Sequence, residues 1–120
     1  MTPHSWVREL PASITVCDTM GVITEMNERA CASFADDGGA ALLGTNVLDC
    51  HPEPARTLLQ NLLKTGTSNC YTIEKQGKKK LIFQSPWYEK GEYRGLVEIS
   101  IPLPDVLPHF VRDKNPPVYR

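Results

Sequence analysis

Two reactive side chains, Cys50 and His51, stand next to each other near the middle of the chain. A thiolate attacks electrophiles, and an imidazole transfers protons or binds a metal through a neutral ring nitrogen. Neighbouring residues seldom point at one another, and nucleophilic Cys–His pairs normally join distant positions. The pair therefore does not indicate an enzyme. A helix N-terminus near Pro52 would lower the pKa of Cys50, which keeps redox sensing open.

The other three cysteines, Cys17, Cys31 and Cys70, are widely spaced. No C-x-x-C pair occurs, so the spacing indicates neither a zinc clip nor a redox dithiol. Cysteines among apolar neighbours in a reducing compartment act mainly as small hydrophobes. We expect these three side chains to be buried, and we expect no metal site.

Size and charge limit the partners. A chain of 120 residues provides one domain with one core, and its formal net charge of -1 creates no field that attracts nucleic acid or an anionic membrane. No apolar stretch approaches the roughly 18 to 20 residues of a membrane span. The first residues also lack the charged and then apolar pattern of an export signal. The sequence therefore predicts a cytoplasmic protein that binds neither nucleic acid nor membrane.

The first half of the chain predicts a hairpin followed by short helices. Residues 14–17 and 22–25 have the pattern of strands, and Asp18–Gly21 between them has the Asp and Gly of a tight turn. Asn27 then suits a helix N-cap, because its side chain can accept a free backbone N–H. The glycines at 38–39 keep the helix that follows short.

The strongest helix pattern begins near Pro52 or Pro54 and stops at Gly66. Its apolar positions follow the i, i+3, i+4, i+7, i+8 spacing of a helix that packs along one face. These positions are Ala55, Leu58, Leu59, Leu62 and Leu63.

Three more strands are predicted, at 69–75, 80–85 and 93–103. Pro86 is expected to interrupt the ladder after the second of these, since proline has no N–H to donate. Strands and helices segregated in this way predict an α+β fold, with a five-stranded antiparallel sheet, short helices and one longer helix on one face.

The predicted domain spans residues 10–103. An N-terminal extension, 1–9, precedes it and a proline-rich tail, 104–120, follows it. Phe110 and Val111 are the expected docking points of this tail.

Four motifs in this order and spacing resemble the PAS family. Asp18-x-x-Gly21-Val22-Ile23 looks like the family's D-x-x-G-x-I hairpin, and Asn27 resembles the asparagine that opens its first helix. Leu43-Gly44-x-Asn46-Val47 is similar to the family's segment before the long helix. Gly95-Leu96-Val97-Glu98-Ile99 resembles its closing strand. The resemblance covers residues 10–103 and implies a sensory and interaction domain. Asp49–Glu53 also looks like the Cys-His-Pro segment of some small bacterial PAS proteins.

The resemblance implies a pocket between the helices and the sheet. Gln84, a polar amide between apolar neighbours, is either solvent-facing or paired, with the protein or with a ligand. Core or edge packing would also account for the aromatic candidates. The candidate ligand-binding residues are Asn46, Cys50, His51, Tyr71, Phe83, Gln84 and Trp87.

The resemblance leaves the cofactor open. His51 could bind haem iron or a small ligand, or it could cap the helix or bond a loop carbonyl. Light-sensing members of the family attach flavin to a cysteine directly after their G-x-N segment. Val47 follows Gly44-Thr45-Asn46 here, so no flavin adduct is expected.

Large apolar residues occur on both faces of the predicted sheet. The face that the helices do not cover would expose these side chains to water, so we expect another segment or chain to cover it. Trp6–Val7, the tail around Phe110 or a second copy of the chain could cover it, and we predict a homodimer. Two functions stay open: a ligand-sensing module that signals to a partner, and an interaction module whose pocket is filled by its own side chains. An enzyme using Cys50 or His51 is a third alternative.

Overall fold

The computed structural model describes residues 5–113. The strands among them are β1 (Ser13–Asp18), β2 (Ile23–Met26), β3 (Asn69–Lys75), β4 (Lys78–Glu89) and β5 (Glu92–Pro102). The helices are α1 (Ser5–Arg8), α2 (Glu28–Ser33) and α3 (Ala55–Thr65), and 3-10 turns occupy Ala35–Asp37, Gly39–Leu42 and Val47–Cys50. The strands form one antiparallel sheet in the order β2-β1-β5-β4-β3. The predicted α+β class and five-stranded antiparallel sheet are confirmed.

Alternation of side chains gives the sheet an inner and an outer face. Cys17 on β1 pairs with Leu96 on β5, and both belong to the buried cluster that includes leucines of α3. Their side of the sheet is the inner face. The outer face carries the alternate apolar residues Ile14, Val16, Leu81, Phe83, Val97, Ile99 and Ile101.

The second half of α3 packs on the inner face. Leu59, Leu62 and Leu63 are buried, as predicted, but Ala55 and Leu58 are exposed. The predicted stripe is therefore too long, because the core reaches only the second half of the helix. The Tyr93 hydroxyl on β5 donates to the Leu63 carbonyl at 2.7 Å and fixes this end of α3 to the sheet.

β4 is longer than predicted. It continues through Pro86, which lies opposite Leu96 of β5, instead of ending there. β3 pairs with β4 only as far as Gln84, so at Pro86 the strand β4 is paired with β5 alone. A missing N–H is tolerated in such a position.

The cysteines follow the prediction only in part. Cys17 is buried and Cys31 is half-buried, but Cys70 is exposed. The expectation of burial was wrong for Cys70 because β3 is an edge strand with largely exposed side chains.

The regions on either side of the predicted domain contain little regular structure. α1 forms part of the N-terminal extension, and residues 103–113 continue from β5 without helix or strand. Phe110 and Val111, the predicted docking points, keep 45% and 49% of their surface exposed. Residues 1–4 and 114–120 of the two extensions lie outside the described part of the chain. None of the helices in the described part has the length and apolar character to cross a membrane.

Asn27 caps α2, as predicted, and also joins three segments. Its Oδ1 accepts hydrogen bonds from the backbone N–H groups of Ala30 and Ile14, both at 3.0 Å. Its Nδ2 donates to the carbonyls of Ala12 at 2.7 Å and Val7 at 3.1 Å. With 5% of its surface exposed, Asn27 forms a buried polar connection between α2, β1 and the N-terminal segment.

We expect Asn27→Ala to lower the free energy of unfolding by about 2–4 kcal/mol, because it removes a helix cap and leaves buried backbone groups unpaired. Urea unfolding measures the change. Asn61→Ala on the exposed side of α3 is the control and should change stability by less than about 0.5 kcal/mol. Equal effects of the two substitutions would contradict the bridging role of Asn27.

Candidate functional site

A row of polar side chains crosses the inner face beside the leucine core. Thr15 of β1 and Gln84 of β4 pair with Glu98 of β5 from its two sides. Thr15 and Gln84 are buried, and Glu98 is half-buried. A carboxyl group thus lies on the covered face of the sheet, two residues along β5 from the core residue Leu96.

The Val47–Cys50 turn lies over this row and closes a small cavity. Thr15, Glu98, Cys50 and His51 form its polar side. Its free space is about 10 Å³, which is roughly the room that one water molecule needs. The apolar side of the cavity consists of Ile23, Met26, Phe34, Leu42 and Val47.

Cys50 and His51 both bond the turn that carries them. The Cys50 thiol donates to the Val47 carbonyl at 3.3 Å, and His51 Nδ1 lies 2.7 Å from the same oxygen. Because a carbonyl oxygen only accepts, Nδ1 carries a proton and His51 Nε2 is left for other contacts. The loop-carbonyl alternative for His51 is therefore the one observed.

The surroundings of Cys50 do not activate its thiol. Burial raises the pKa of Cys50, and the nearby carboxylates of Asp37, Asp49 and Glu98 raise it further. His51 Nδ1 is 3.7 Å from the sulfur. The helix N-terminus that would have lowered the pKa is not at this position, because α3 begins only at Ala55. The expectation of a helix-lowered pKa at Cys50 was wrong.

Glu98 is the one carboxyl group among the described residues that line the cavity. Burial raises its pKa above the ordinary 4.5, and the opposing effect of His51 is smaller. Within residues 5–113 its carboxylate has no hydrogen-bond donor or ion-pair partner at bonding distance. An acid in such a position changes its charge readily when its surroundings change, which is a common property of functional sites.

Asn46 lies beside the cavity, but its amide is used by the turn. Its Oδ1 accepts from Leu48 N at 2.9 Å, and its Nδ2 donates to the Met20 carbonyl at 2.9 Å. Asn46 thereby joins the turn that closes the cavity to the β1–β2 hairpin.

Tyr71 and Gln84 lie on the inner face without lining the cavity. Gln84 is 5% exposed, and its Oε1 accepts from Asn69 Nδ2 at 3.1 Å. Of the two predicted alternatives, the amide is therefore paired. Tyr71 is 40% exposed on β3, and burial together with the charge of Glu98 raises the pKa of its hydroxyl.

Phe83 and Trp87 are not brought to the cavity. Phe83 alternates with Gln84 and therefore points to the outer face. Trp87 lies opposite Gly95 and donates its Nε1 to the Cys17 carbonyl at 3.1 Å, across β5. A Cβ atom at Gly95 would collide with that carbonyl oxygen, so glycine is required for this close approach.

Glu98 and Thr15 are the polar cavity residues that sequence reasoning missed as site candidates. Leu96 and Glu98 are two residues apart on one strand, so they share a face. A charged residue on the same face as a core leucine was the available signal. Thr15 had no such signal, because a threonine in an alternating strand is ordinary.

The described residues do not fit haem. Haem needs a pocket of several hundred Å³, whereas the free space beside His51 is about 10 Å³. Val47, which follows the Gly44-Thr45-Asn46 segment, is buried in the core cluster. In residues 5–113, no group of three or more His, Cys, Asp or Glu side chains is placed to hold a metal ion.

The raised pKa of Glu98 predicts a pH-dependent effect of Glu98→Gln on stability. The folded state holds the Glu98 proton more tightly than the unfolded state, so wild type loses stability as the pH rises from about 4.5 through the raised pKa. Glutamine is neutral throughout. Thermal unfolding at several pH values should show Glu98→Gln gaining on wild type as the pH rises. A difference that stays constant with pH would contradict the burial of an unpaired carboxyl group.

No protein-family model and no curated protein matches the sequence. Solved structures do match. The C-terminal domain of a Streptococcus mutans protein has a TM-score of 0.65 at 19% identity, covering 81% of this chain and 79% of that one. The PAS domain of BvgS from Bordetella pertussis has a TM-score of 0.61 at 17% identity, covering 82% of each chain. The Aer2 receptor of Vibrio cholerae, a dual PAS-heme oxygen sensor, has a TM-score of 0.56 at 19% identity, covering 78% of this chain and 95% of that one. At these identities the similarity concerns the fold, and this chain has the fold of PAS domains.

Proposed function

We propose that this protein is a PAS-type sensory and signalling module that takes its input at the Glu98 cavity and gives its output through the outer face of the sheet. The supporting observation is the side-chain order on β5. Glu98 lines the cavity, while its neighbours Val97 and Ile99 belong to the apolar outer face. One strand thus carries residues of both surfaces, so a displacement of the β5 backbone at Glu98 would move the outer face as well.

The input would be a small ligand under the Val47–Cys50 turn. The polar side of the cavity offers the acceptors Glu98 and Thr15 Oγ1, and His51 Nε2 is not used by the turn. About 10 Å³ admits only a water-sized molecule in the closed conformation. A larger ligand requires the covering turns to move, which would break the local hydrogen bonds of the Val47–Cys50 turn.

The output would be a second copy of the chain or a signalling partner. Trp6, a proposed cover for the outer face, is 68% exposed, and α1 is held near α2 by the Val7–Asn27 bond and the Arg8–Glu28 ion pair. Phe110 of the tail is also exposed. These positions favour a second copy as the cover.

No catalytic step is part of the proposal. The pKa of the Cys50 thiol is raised, and the His51 nitrogen nearest to it is bonded to a carbonyl oxygen. A nucleophile needs the opposite arrangement, with a lowered pKa and a free base. The cytoplasmic location and the absence of nucleic-acid or membrane binding stay predictions from the sequence.

The second candidate function is a ligand-free interaction module. The small volume of the cavity favours it, because Leu42, Val47 and Phe34 already occupy most of the space between the turns and the sheet. The two candidates differ in whether the purified protein carries a ligand.

Native mass spectrometry of the purified chain separates the two functions. A ligand-sensing module should carry added mass. This mass should disappear in Thr15→Leu, which fills the polar side of the cavity, and persist in the control Thr24→Leu on exposed β2. Wild type at the bare chain mass would establish the ligand-free module. Added mass that survives Thr15→Leu would place the ligand elsewhere and overturn the cavity as the input site.

If two copies of the chain associate through the outer face, a charge introduced into that face should weaken the dimer. Phe83→Glu puts a carboxylate in the middle of the apolar surface and should weaken self-association at least about tenfold. Leu58→Glu on the exposed side of α3 is the matched control, since both residues are large, apolar and partly exposed. Light scattering after size exclusion measures the mass of each variant across a concentration series. A monomeric wild type, or equal behaviour of the two variants, would contradict the proposed interface.

A further inference from the structure

β3 is an edge strand, and among residues 5–113 only β4 pairs with it. Its ladder with β4 runs from Asn69–Gln84 to Lys75–Lys78 without a register shift, so the edge contains no bulge. The backbone groups that point away from β4 form a regular row that can pair with another extended chain.

The centre of this edge lacks the usual protection. Proteins blunt their edge strands with prolines, bulges, inward-pointing charges or a covering segment. Cys70–Ile73 contains neither a charge nor a proline, and Tyr71 and Ile73 are both exposed. A regular, uncharged and exposed edge is a standard site for a peptide that binds by adding a strand.

A groove of about 540 Å³ runs along this edge. Thr72, Ile73 and Glu74 of β3 all line it. Thr72 and Glu74 share the outer face with Lys79 of β4, which also lines the groove, so the groove lies on the outer side of the sheet beside the edge strand. Its other wall comes from residues after β5, with Leu103, Pro104, Asp105 and Leu107.

The hairpin at the end of this edge carries four lysines, Lys75, Lys78, Lys79 and Lys80. Lys75 lies directly opposite Lys78, an arrangement of like charges that destabilises a hairpin. No ion pair of the described residues involves these lysines, and Glu74, opposite Lys79, is the one acidic residue between Asn69 and Lys80. Lys75, Lys78 and Lys80 therefore have no acidic residue opposite them on β3 or β4, and an anionic partner would supply one.

The charges identify the occupant. Residues 114–120 of the chain itself are unsuitable as the added strand. Pro116 and Pro117 have no backbone N–H to donate, and Lys114 and Arg120 would repel the lysines of the hairpin. The β3 strand of a second copy would offer a neutral centre and leave the lysines unpaired. Acidic side chains on the inner face would pair with the lysines of the hairpin, and uncharged side chains suit the groove on the outer face, whose lining already includes Glu74 and Asp105.

We propose that β3 and its groove bind an extended acidic peptide of a partner protein, which joins the sheet as a further strand beside β3. Alternate residues of the peptide point to the two faces of the sheet. Its acidic residues lie on the inner face, which Lys75, Lys78 and Lys80 share by their position in the ladder. Its apolar residues lie on the outer face, against Thr72 and Leu107. This surface is separate from the Glu98 cavity.

Fluorescence anisotropy with a labelled octapeptide that alternates valine and glutamate tests the proposal on the full chain. We expect binding that weakens as salt increases. A peptide that alternates valine and lysine should bind at least about tenfold more weakly, because its charges oppose those of the hairpin. Equal binding of the two peptides, or no binding of the acidic one, would overturn the proposal.

Two N-methylated versions of the acidic peptide distinguish strand addition from simple charge attraction. One carries N-methyl groups on all valines and the other on all glutamates. In an added strand, one of these sets of N–H groups faces β3 and the other faces solvent, so one version should lose binding and the other should keep it. Equal binding of both versions would show charge attraction only.

The lysines are tested by Lys75→Glu combined with Lys78→Glu, two exposed positions away from the core. This variant should lose acidic-peptide binding at least about tenfold. The control, Arg56→Glu combined with Lys64→Glu on exposed positions of α3, changes the net charge equally and should bind like wild type. Equal losses in both variants would contradict a localised site. Displacement of the peptide by self-association of the chain would instead identify a second copy as the occupant.

Discussion

The alternation of side chains along β5 is the constraint on which the other features depend. Leu96 and Glu98 face the helices, and Val97 and Ile99 face the other way. β5 is also the central strand, with β1 on one side and β4 on the other. A shift of register by one residue would bury Val97 and expose Leu96, which would remove the core and the cavity together.

The inner face of the sheet has an apolar part and a polar part, each covered by a different element. Its apolar part, around Leu96, is covered by the leucines of α3 and needs only size and shape to match. Its polar part, around Glu98, is covered by a 3-10 turn whose own hydrogen bonds consume the side chain of Asn46 and one nitrogen of His51. The turn is thus ordered by local bonds and does not depend on a bond to Glu98, which leaves the carboxyl group able to respond to a proton or a ligand.

Sequence patterns predicted the elements better than the site. Asn27 and the leucines of α3 were recognisable because capping and helical periodicity act over a few residues. The faces occupied by Phe83 and Trp87 depend on strand register, and the exposure of Cys70 depends on the position of β3 at an edge. Register and strand order are set by packing over the whole chain, so no local pattern contains them. Glu98 is an intermediate case. The face of the sheet on which it lies could be predicted from its spacing to Leu96, but the position of the turn above it could not.

The uneven cover of the sheet explains why its surfaces have different characters. α3 and the turns lie over β1 and β5, so β3 extends beyond the helical layer with its side chains largely exposed. An exposed apolar hairpin would invite aggregation, and lysines at its end counteract this. Dispersed charges of both signs would serve solubility equally well, however, and would avoid the opposition of Lys75 and Lys78. The concentration of one sign beside an uncharged strand edge therefore requires a second reason, and recognition of an acidic strand provides one.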